Sequence, residues 1–431
     1  TRFKCDWSSD VCSSDLTLSG TAAIPGSKSH TVRAAAIGSL ASGTSHITNP
    51  LDAADTRSAL VCFGMFGAET SIDDGWRIEG NGGDVYTPEN VIDVGNSGTT
   101  LYIAMAVAAL GSGITIFTGD SQIRSRPAGP LIEALNTLGA RVESTRSNNC
   151  APIVVKGPLI GGEVSINCSK TSQYLSSLLI ACPLALNETV IHVEKLVEKP
   201  YVEMTLDWLD KQEIKLEHEG LEYFKIPGKQ SYKPVNRNIP GDFSSATFLI
   251  CSAILCGGEV KLTGLDPDDT QGDKAVIGQL RSMGADICWN EYDLVVKGSE
   301  LTGNLLDLAD TPDALPALAA TACLSKGKTH ISNVAQARAK ETDRIAVMAE
   351  QLRLMGAEIE ELPDGMIISG SDLHSASVNG YGDHRVIMSL AMAGMAVDGE
   401  TVIENADAVE VTFPTFVHLM KSLGADIRVE R

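Results

Sequence analysis

Positive charge is what this chain is shortest of. Against 55 Asp and Glu stand 34 Lys and Arg, a net charge of −21 over 431 residues. A field of that sign repels phosphodiester backbones and anionic lipid, which argues against nucleic acid and membrane as partners. A small anionic substrate fits only where Lys and Arg are gathered locally. Long apolar runs are also missing: no 18 consecutive apolar residues occur, so no membrane-spanning helix is expected. The ten cysteines include no Cys-x-x-Cys pair and no cluster with histidine, so neither a zinc site nor a disulfide framework is indicated. They read as reduced core thiols of a cytoplasmic protein. Hydrophobic content of 43% and 40 glycines suit two or more domains with sizeable cores and many tight turns.

The first 16 residues, Thr1 to Leu16, lack the apolar segment of a signal peptide. The run from Trp7 to Leu16 reads like a translated sequencing adapter. Residues 1–16 are therefore expected to be a non-native, disordered leader outside the fold.

A short pattern recurs at the ends of amphipathic stretches: Phe66-Gly67-Ala68, Leu138-Gly139-Ala140, Met283-Gly284-Ala285, Met355-Gly356-Ala357 and Leu423-Gly424-Ala425. A polar and then usually a β-branched residue follows, as in Ala425-Asp426-Ile427. Lys211-Gln212-Glu213-Ile214 fills the gap in the series, giving six repeats of roughly 72 residues. Glycine just past a last helical turn is the expected C-cap, and a strand begins after it.

A second series interleaves with the first: Ser27-Lys28-Ser29, Asn96-Ser97-Gly98, Lys170-Thr171-Ser172, Gly241-Asp242-Phe243-Ser244, Thr311-Pro312-Asp313 and Gly382-Asp383-His384-Arg385. Each opens a run of Ala, Leu, Ile and Val, as expected of a helix buried on every side. Six such helices with polar N-termini could aim several of those ends at one space, which would attract anions. Ile24-Pro25-Gly26-Ser27 and Ile239-Pro240-Gly241-Asp242 are near-copies at which the chain could cross between domains. The expected division is one domain over 27–240 and another joining 17–26 to 241–431, with a cleft between them.

The densest charge is Arg338-Ala339-Lys340-Glu341-Thr342-Asp343-Arg344, followed by Ile345, Met348, Leu352 and Met355 at helical spacing. Lys340, Glu341 and Arg344 are expected in the first turn of that helix, with Lys340 and Arg344 on one face. A solvated, salt-bridged helix start is the plain reading; an anion between the two cations is the functional one. Lys28, Ser29 and Arg33 stand at the first buried helix, either as capping and snorkelling residues or as an anion site. Gly95-Asn96-Ser97-Gly98 is a turn that would let a ligand approach the backbone. Arg126 is a candidate carboxylate or phosphate partner, and Pro127 is expected to open the helix running to Leu138. Thr171-Ser172-Gln173 offers three hydrogen-bonding side chains, and Lys199-Pro200-Tyr201 another loop-to-helix start. Asp313 is either a helix N-cap or a general base. His384-Arg385 adds a titratable group and a cation.

Taken together, Pro25-Gly26-Ser27-Lys28-Ser29, Gly95 to Thr99, Arg126-Pro127, Ser172-Gln173, Lys340 to Arg344 and Asp383-His384-Arg385 resemble the 5-enolpyruvylshikimate-3-phosphate synthase family, collinearly from residue 17 onward. The resemblance implies an α/β (α+β) fold: a two-domain inside-out α/β barrel of six βαβαββ repeats, three per domain, closing on its ligands. It implies enolpyruvyl transfer from phosphoenolpyruvate to the 5-hydroxyl of shikimate 3-phosphate, without metal or cofactor, by a monomer in the cytoplasm. Lys28, Gly98, Arg126, Gln173, Arg344 and Arg385 would hold phosphoenolpyruvate. Ser29, Arg33, Thr171, Ser172, Gln173, Tyr201, Asp313, Gln336 and Lys340 would hold shikimate 3-phosphate. Asp313 would take the hydroxyl proton, while Glu341, with Lys28, would protonate the methylene carbon.

Three positions depart from the family pattern. Tyr102 stands for a usual arginine, Glu198 for a common serine at the acceptor's phosphate, and Val411 for a lysine used by part of the family. A carboxylate at 198 would weaken phosphate binding unless Lys199 neutralises it. Gly98 leaves room for the family's inhibitor glyphosate, so sensitivity is expected. Two other readings stay open: the related transferase acting on UDP-N-acetylglucosamine, and an inactive phosphosugar-binding homologue. The loop from Gly119 to Pro127 lacks the reactive cysteine of the first, and the pair Asp313 and Glu341 speaks against the second.

Overall fold

The computed structural model describes residues 1–7 and 17–430. The chain forms two compact units, Gly26–Ile239 and Thr1–Pro25 with Pro240–Arg431. Each unit holds three four-stranded sheets, and all six sheets share one strand order. In the second repeat, Ile92–Asp93 pairs parallel with Ile114–Thr118; Ile153–Lys156 and Arg141–Ser144 then continue antiparallel. Between these strands run a buried helix, Gly98–Ala108, and a covering helix, Gly129–Thr137.

Two short strands complete repeats far from them in sequence. Gly20–Ala23 pairs parallel with Glu259–Thr263, and Asn236–Asn238 with Ser42–Thr48. Each unit is thereby closed by a strand from the opposite end of the intervening chain.

The buried helices are Lys28–Leu40, Gly98–Ala108, Gln173–Ala181, Phe243–Cys256, Leu315–Cys323 and His384–Met395. Their small and aliphatic residues form the middle of one apolar cluster per unit. Such helices tolerate polar residues chiefly at their ends, where unpaired backbone N–H groups need acceptors. Ser97, Asp242 and Asp383 supply them, accepting from Thr100, Ser245 and Arg385 respectively. Ser27 occupies a cap position, yet its hydroxyl makes no capping bond.

The glycines at 67, 139, 284, 356 and 424 all take positive φ, between 97° and 106°. At the same place in the third repeat Glu213 takes φ 57°. The degenerate repeat thus keeps the left-handed turn without the glycine.

Three sequence expectations fail. Arg2–Trp7 is a strand, not a disordered leader; residues 8–16 lie outside the described residues. It pairs antiparallel with both Gly399–Glu404 and Ile427–Glu430. Phe3 and Cys5 turn inward, while Lys4 reaches Glu400 and Glu430 at 3.4 and 3.2 Å. That alternation of period two is a strand pattern whatever its origin. Pro127 does not open the covering helix, which starts at Gly129 after a 3₁₀ turn over Ile123–Ser125. Lys340 and Glu341 precede their helix: it spans Arg344–Leu354 and is capped by Asp343, which accepts from the Ala346 N–H.

Candidate active site

In the unit Gly26–Ile239 the central group is Arg33, fully buried in the first helix. Its Nε donates to Thr205 Oγ1 at 2.9 Å, Nη1 to the Ser29 carbonyl at 3.1 Å, and Nη2 to the Tyr201 carbonyl at 2.9 Å and Ser176 Oγ at 3.3 Å. All four acceptors are neutral, and no carboxylate among the described residues meets this guanidinium. Burial pulls it down to about 10. A buried cation without a counter-ion is costly, and an arriving anion offsets that cost.

Close by in sequence, Lys28 Nζ lies 3.2 Å from Asp55 Oδ2, a carboxylate only 5% exposed. Gly98 opens the next buried helix beneath Arg126. A Cβ added at Gly98 would lie 2.5 Å from Arg126 Nη1, so glycine is what lets that guanidinium rest on the helix start. Tyr102, expected as a lost cation, has a structural task instead. Its hydroxyl and that of Tyr174 both donate to the Pro127 carbonyl, at 3.0 and 2.5 Å. The two rings meet edge to face at 5.0 Å. They pin the turn that carries Arg126.

At the third buried helix, Thr171 Oγ1, Ser172 N and Ser172 Oγ all donate to Glu198 Oε2, at 3.3 to 3.4 Å. Gln173, the first residue of that helix, buries its Oε1 without a hydrogen-bond partner.

In the other unit the site is built on Arg344, 1% exposed. Asp383 takes it bidentately, Nε to Oδ2 at 2.8 Å and Nη2 to Oδ1 at 3.0 Å. Nη1 donates to Asp313 Oδ1 at 2.8 Å, and Nη2 to Glu341 Oε2 at 2.6 Å. Asp313 also faces Lys340 Nζ at 3.7 Å and Arg385 Nη2 at 3.2 Å. Burial alone would push Asp313 up; Arg385, Lys340 and Arg344 outweigh it and hold its carboxyl well below the usual range. Asp313 lies in the 3₁₀ turn Pro312–Ala314 ahead of the fifth buried helix and makes no cap there, so the N-cap alternative falls. The anion between Lys340 and Arg344 is this carboxylate.

Arg385 Nη2 donates further to Ser244 Oγ at 2.9 Å, and that hydroxyl to Asp273. Burial, with Asp313 nearby, pushes the Asp273 carboxyl up to about 6. Burial holds His384 down at about 3, so this imidazole stays neutral at physiological pH and is no proton source there. Gln336 donates to the Ala309 carbonyl at 2.9 Å in the 3₁₀ turn Ala335–Ala339.

Within the first unit the structure gathers Ser29, Arg33 and Tyr201, then Thr171 with Ser172, then Gly98 with Arg126. Within the second it gathers Asp313, Lys340, Glu341, Arg344 and Arg385. Sequence reasoning missed Asp55 and Asp273, which carry no local signal, and quoted Ser244 only as part of a repeated helix start. It quoted Asp383 only as part of a motif, although an Asp two residues before a buried-helix Arg is a visible N-cap pattern.

Residues 14–420 match the model of the family EPSP synthase (3-phosphoshikimate 1-carboxyvinyltransferase). A 3-phosphoshikimate 1-carboxyvinyltransferase of Acetivibrio thermocellus is 53% identical over 410 residues, covering 95% of this chain and 97% of that protein. The protein of the same name from Ruminiclostridium cellulolyticum is 50% identical over 413 residues, covering 96% and 98%. A structure of EPSP synthase from Acinetobacter baumannii matches with a TM-score of 0.85 at 27% identity, with 100% of each chain covered. The six sheets and their buried helices are those of the two-domain inside-out α/β fold.

Proposed function

The chain belongs to the EPSP synthase (3-phosphoshikimate 1-carboxyvinyltransferase) family, and from that premise we propose which of its residues carry the reaction. The enzyme transfers the enolpyruvyl group of phosphoenolpyruvate to the 5-hydroxyl of shikimate 3-phosphate and releases phosphate, in aromatic amino acid biosynthesis. It does so as a cytoplasmic monomer.

The observation that carries the assignment is the Asp313 carboxylate between Arg344, Arg385 and Lys340. As it stands, Asp313 is a weak base, because three cations stabilise its charge. An anionic substrate that takes over Arg344 and Arg385 draws those cations away and makes the carboxylate more basic. Asp313 then accepts the proton of the attacking hydroxyl. Glu341, released from Arg344 Nη2 by the same substrate carboxylate, delivers a proton to the methylene carbon. Lys28 supplies charge to the phosphate and assists that transfer. The cationic carbon formed at C2 of phosphoenolpyruvate, the carbon that bears the phosphate, is captured by the hydroxyl oxygen, giving a tetrahedral intermediate. Loss of a proton from its methyl group, back to Glu341, expels phosphate and leaves the enolpyruvyl ether of the acceptor. The fixed charges favour each step by being in place before charge develops.

Arg33 and Tyr201, with Ser29, Thr171, Ser172, Gln173, Gln336 and Lys340, bind shikimate 3-phosphate. Lys28, Gly98, Arg126, Gln173, Arg344 and Arg385 bind phosphoenolpyruvate. Because the methyl group of the intermediate can lose any of its three hydrogens, turnover in D2O places deuterium in the vinyl group. Glu341→Gln should abolish that incorporation while still binding both substrates. Wild-type incorporation rates in Glu341→Gln would remove Glu341 from the proton path.

A further inference from the structure

Glu198 is held in a way its neighbours do not need. It takes φ 54°, a left-handed conformation that a glutamate adopts only under strain. Its side chain is nonetheless 99% buried, at 1% exposure. One oxygen, Oε2, collects Thr171 Oγ1, Ser172 N and Ser172 Oγ, from residues 26 and 27 positions earlier. All three contacts are 3.3 to 3.4 Å, at the long end for hydrogen bonds to a carboxylate. The donors stand at the start of the helix Gln173–Ala181, where Ser172 provides no cap of its own. Negative charge at that end is favourable, and several donors converging on one anionic oxygen is how a phosphate is held.

We propose that Glu198 is a tethered substitute for the acceptor's phosphate. Its carboxylate occupies the Thr171 and Ser172 donors until a phosphate group takes them, and must then leave. Glu198 therefore lowers affinity for the phosphorylated acceptor and leaves affinity for its unphosphorylated form alone. This inference rests on the reading that Thr171 and Ser172 bind shikimate 3-phosphate. A phosphate, with more charge and three terminal oxygens, satisfies the same donors better than one carboxylate oxygen at long range.

The test is calorimetric binding of shikimate 3-phosphate and of shikimate to the full chain, to Glu198→Ser and to Glu198→Gln. Glu198→Ser should bind shikimate 3-phosphate about tenfold more tightly, the worth of a charge-assisted contact no longer displaced. Glu198→Gln, which keeps the shape and loses the charge, should gain in the same direction but less, and shikimate should bind all three alike. Unchanged or weaker binding of shikimate 3-phosphate by a folded Glu198→Gln would overturn the proposal. Equal tightening of shikimate would overturn it too, since the effect would not be on the phosphate. If the full chain does not bind shikimate 3-phosphate at all, the functional reading fails separately. Inorganic phosphate then decides: its concentration for half-maximal thermal stabilisation should fall in Glu198→Ser, and an unchanged value would reject the tethered carboxylate.

Discussion

Arg33, Asp273 and Gly98 show how single residues in this protein are tuned by what surrounds them. Arg33 is buried among neutral acceptors, so its charge has no counter-ion within the unit. Shikimate 3-phosphate should therefore raise the melting temperature, and Arg33→Gln should lose most of that ligand-dependent rise in a thermal scan. Asp273 carries a different signature. Its folded-state pKa of about 6 lies above that of an unfolded aspartate near 3.9, so its contribution is full at low pH and is lost as pH rises through about 6. Asp273→Asn should stabilise by about 2 kcal/mol at pH 8 and by little at pH 4, measured by denaturant unfolding at both. Gly98→Ala places a methyl group on the end of a flexible arginine, not on backbone. It should leave the melting temperature nearly unchanged and raise the KM for phosphoenolpyruvate about tenfold by moving Arg126. Of these three, Arg33 and Gly98 were legible from motifs. Asp273 was not, because it reaches Arg385 through Ser244 and, unlike residues 244 and 385, belongs to neither repeated series.

At the scale of elements, the repeat was legible because helix ends impose a conformational demand. A left-handed residue is required where each covering helix stops, and glycine meets it in five of the six repeats. Glu213 meets it at a cost, and its ion pair with Lys233 is solvent-exposed and worth little. Glu213→Gly should therefore stabilise by about 0.5–1 kcal/mol, read as a rise in denaturant midpoint; a fall would mean that the ion pair outweighs the strain. Boundaries were less legible than existence. Pro127 resembles a helix opener, but tyrosines 102 and 174 hold its carbonyl in the turn before the helix. Lys340 and Glu341 read as helical by spacing, yet Asp343 caps first and leaves them in the preceding turn. The first strand carries a local signal of its own despite its adapter-like continuation. Phe3 and Cys5 alternate with Arg2 and Lys4 as a half-buried strand requires.

Across the whole molecule, the strands Gly20–Ala23 and Asn236–Asn238 pair with partners about 200 residues distant. Segments of four and three residues carry no periodicity from which such pairing could be read. The architecture nonetheless followed from the sequence, because six copies of one unit constrain a fold more than any single copy does. The net charge of −21 makes the same point about function: cations are few, so the residues that gather them mark the chemistry. Asp313, set among Arg344, Arg385 and Lys340, is the proposed base for enolpyruvyl transfer. Its most direct test is phosphate release from phosphoenolpyruvate by the full chain and by Asp313→Ala, each with and without shikimate 3-phosphate. Release should occur only when both substrates are present and should fall about a thousandfold in the variant. Release by Asp313→Ala at the wild-type rate, or release that needs no shikimate 3-phosphate, would contradict it.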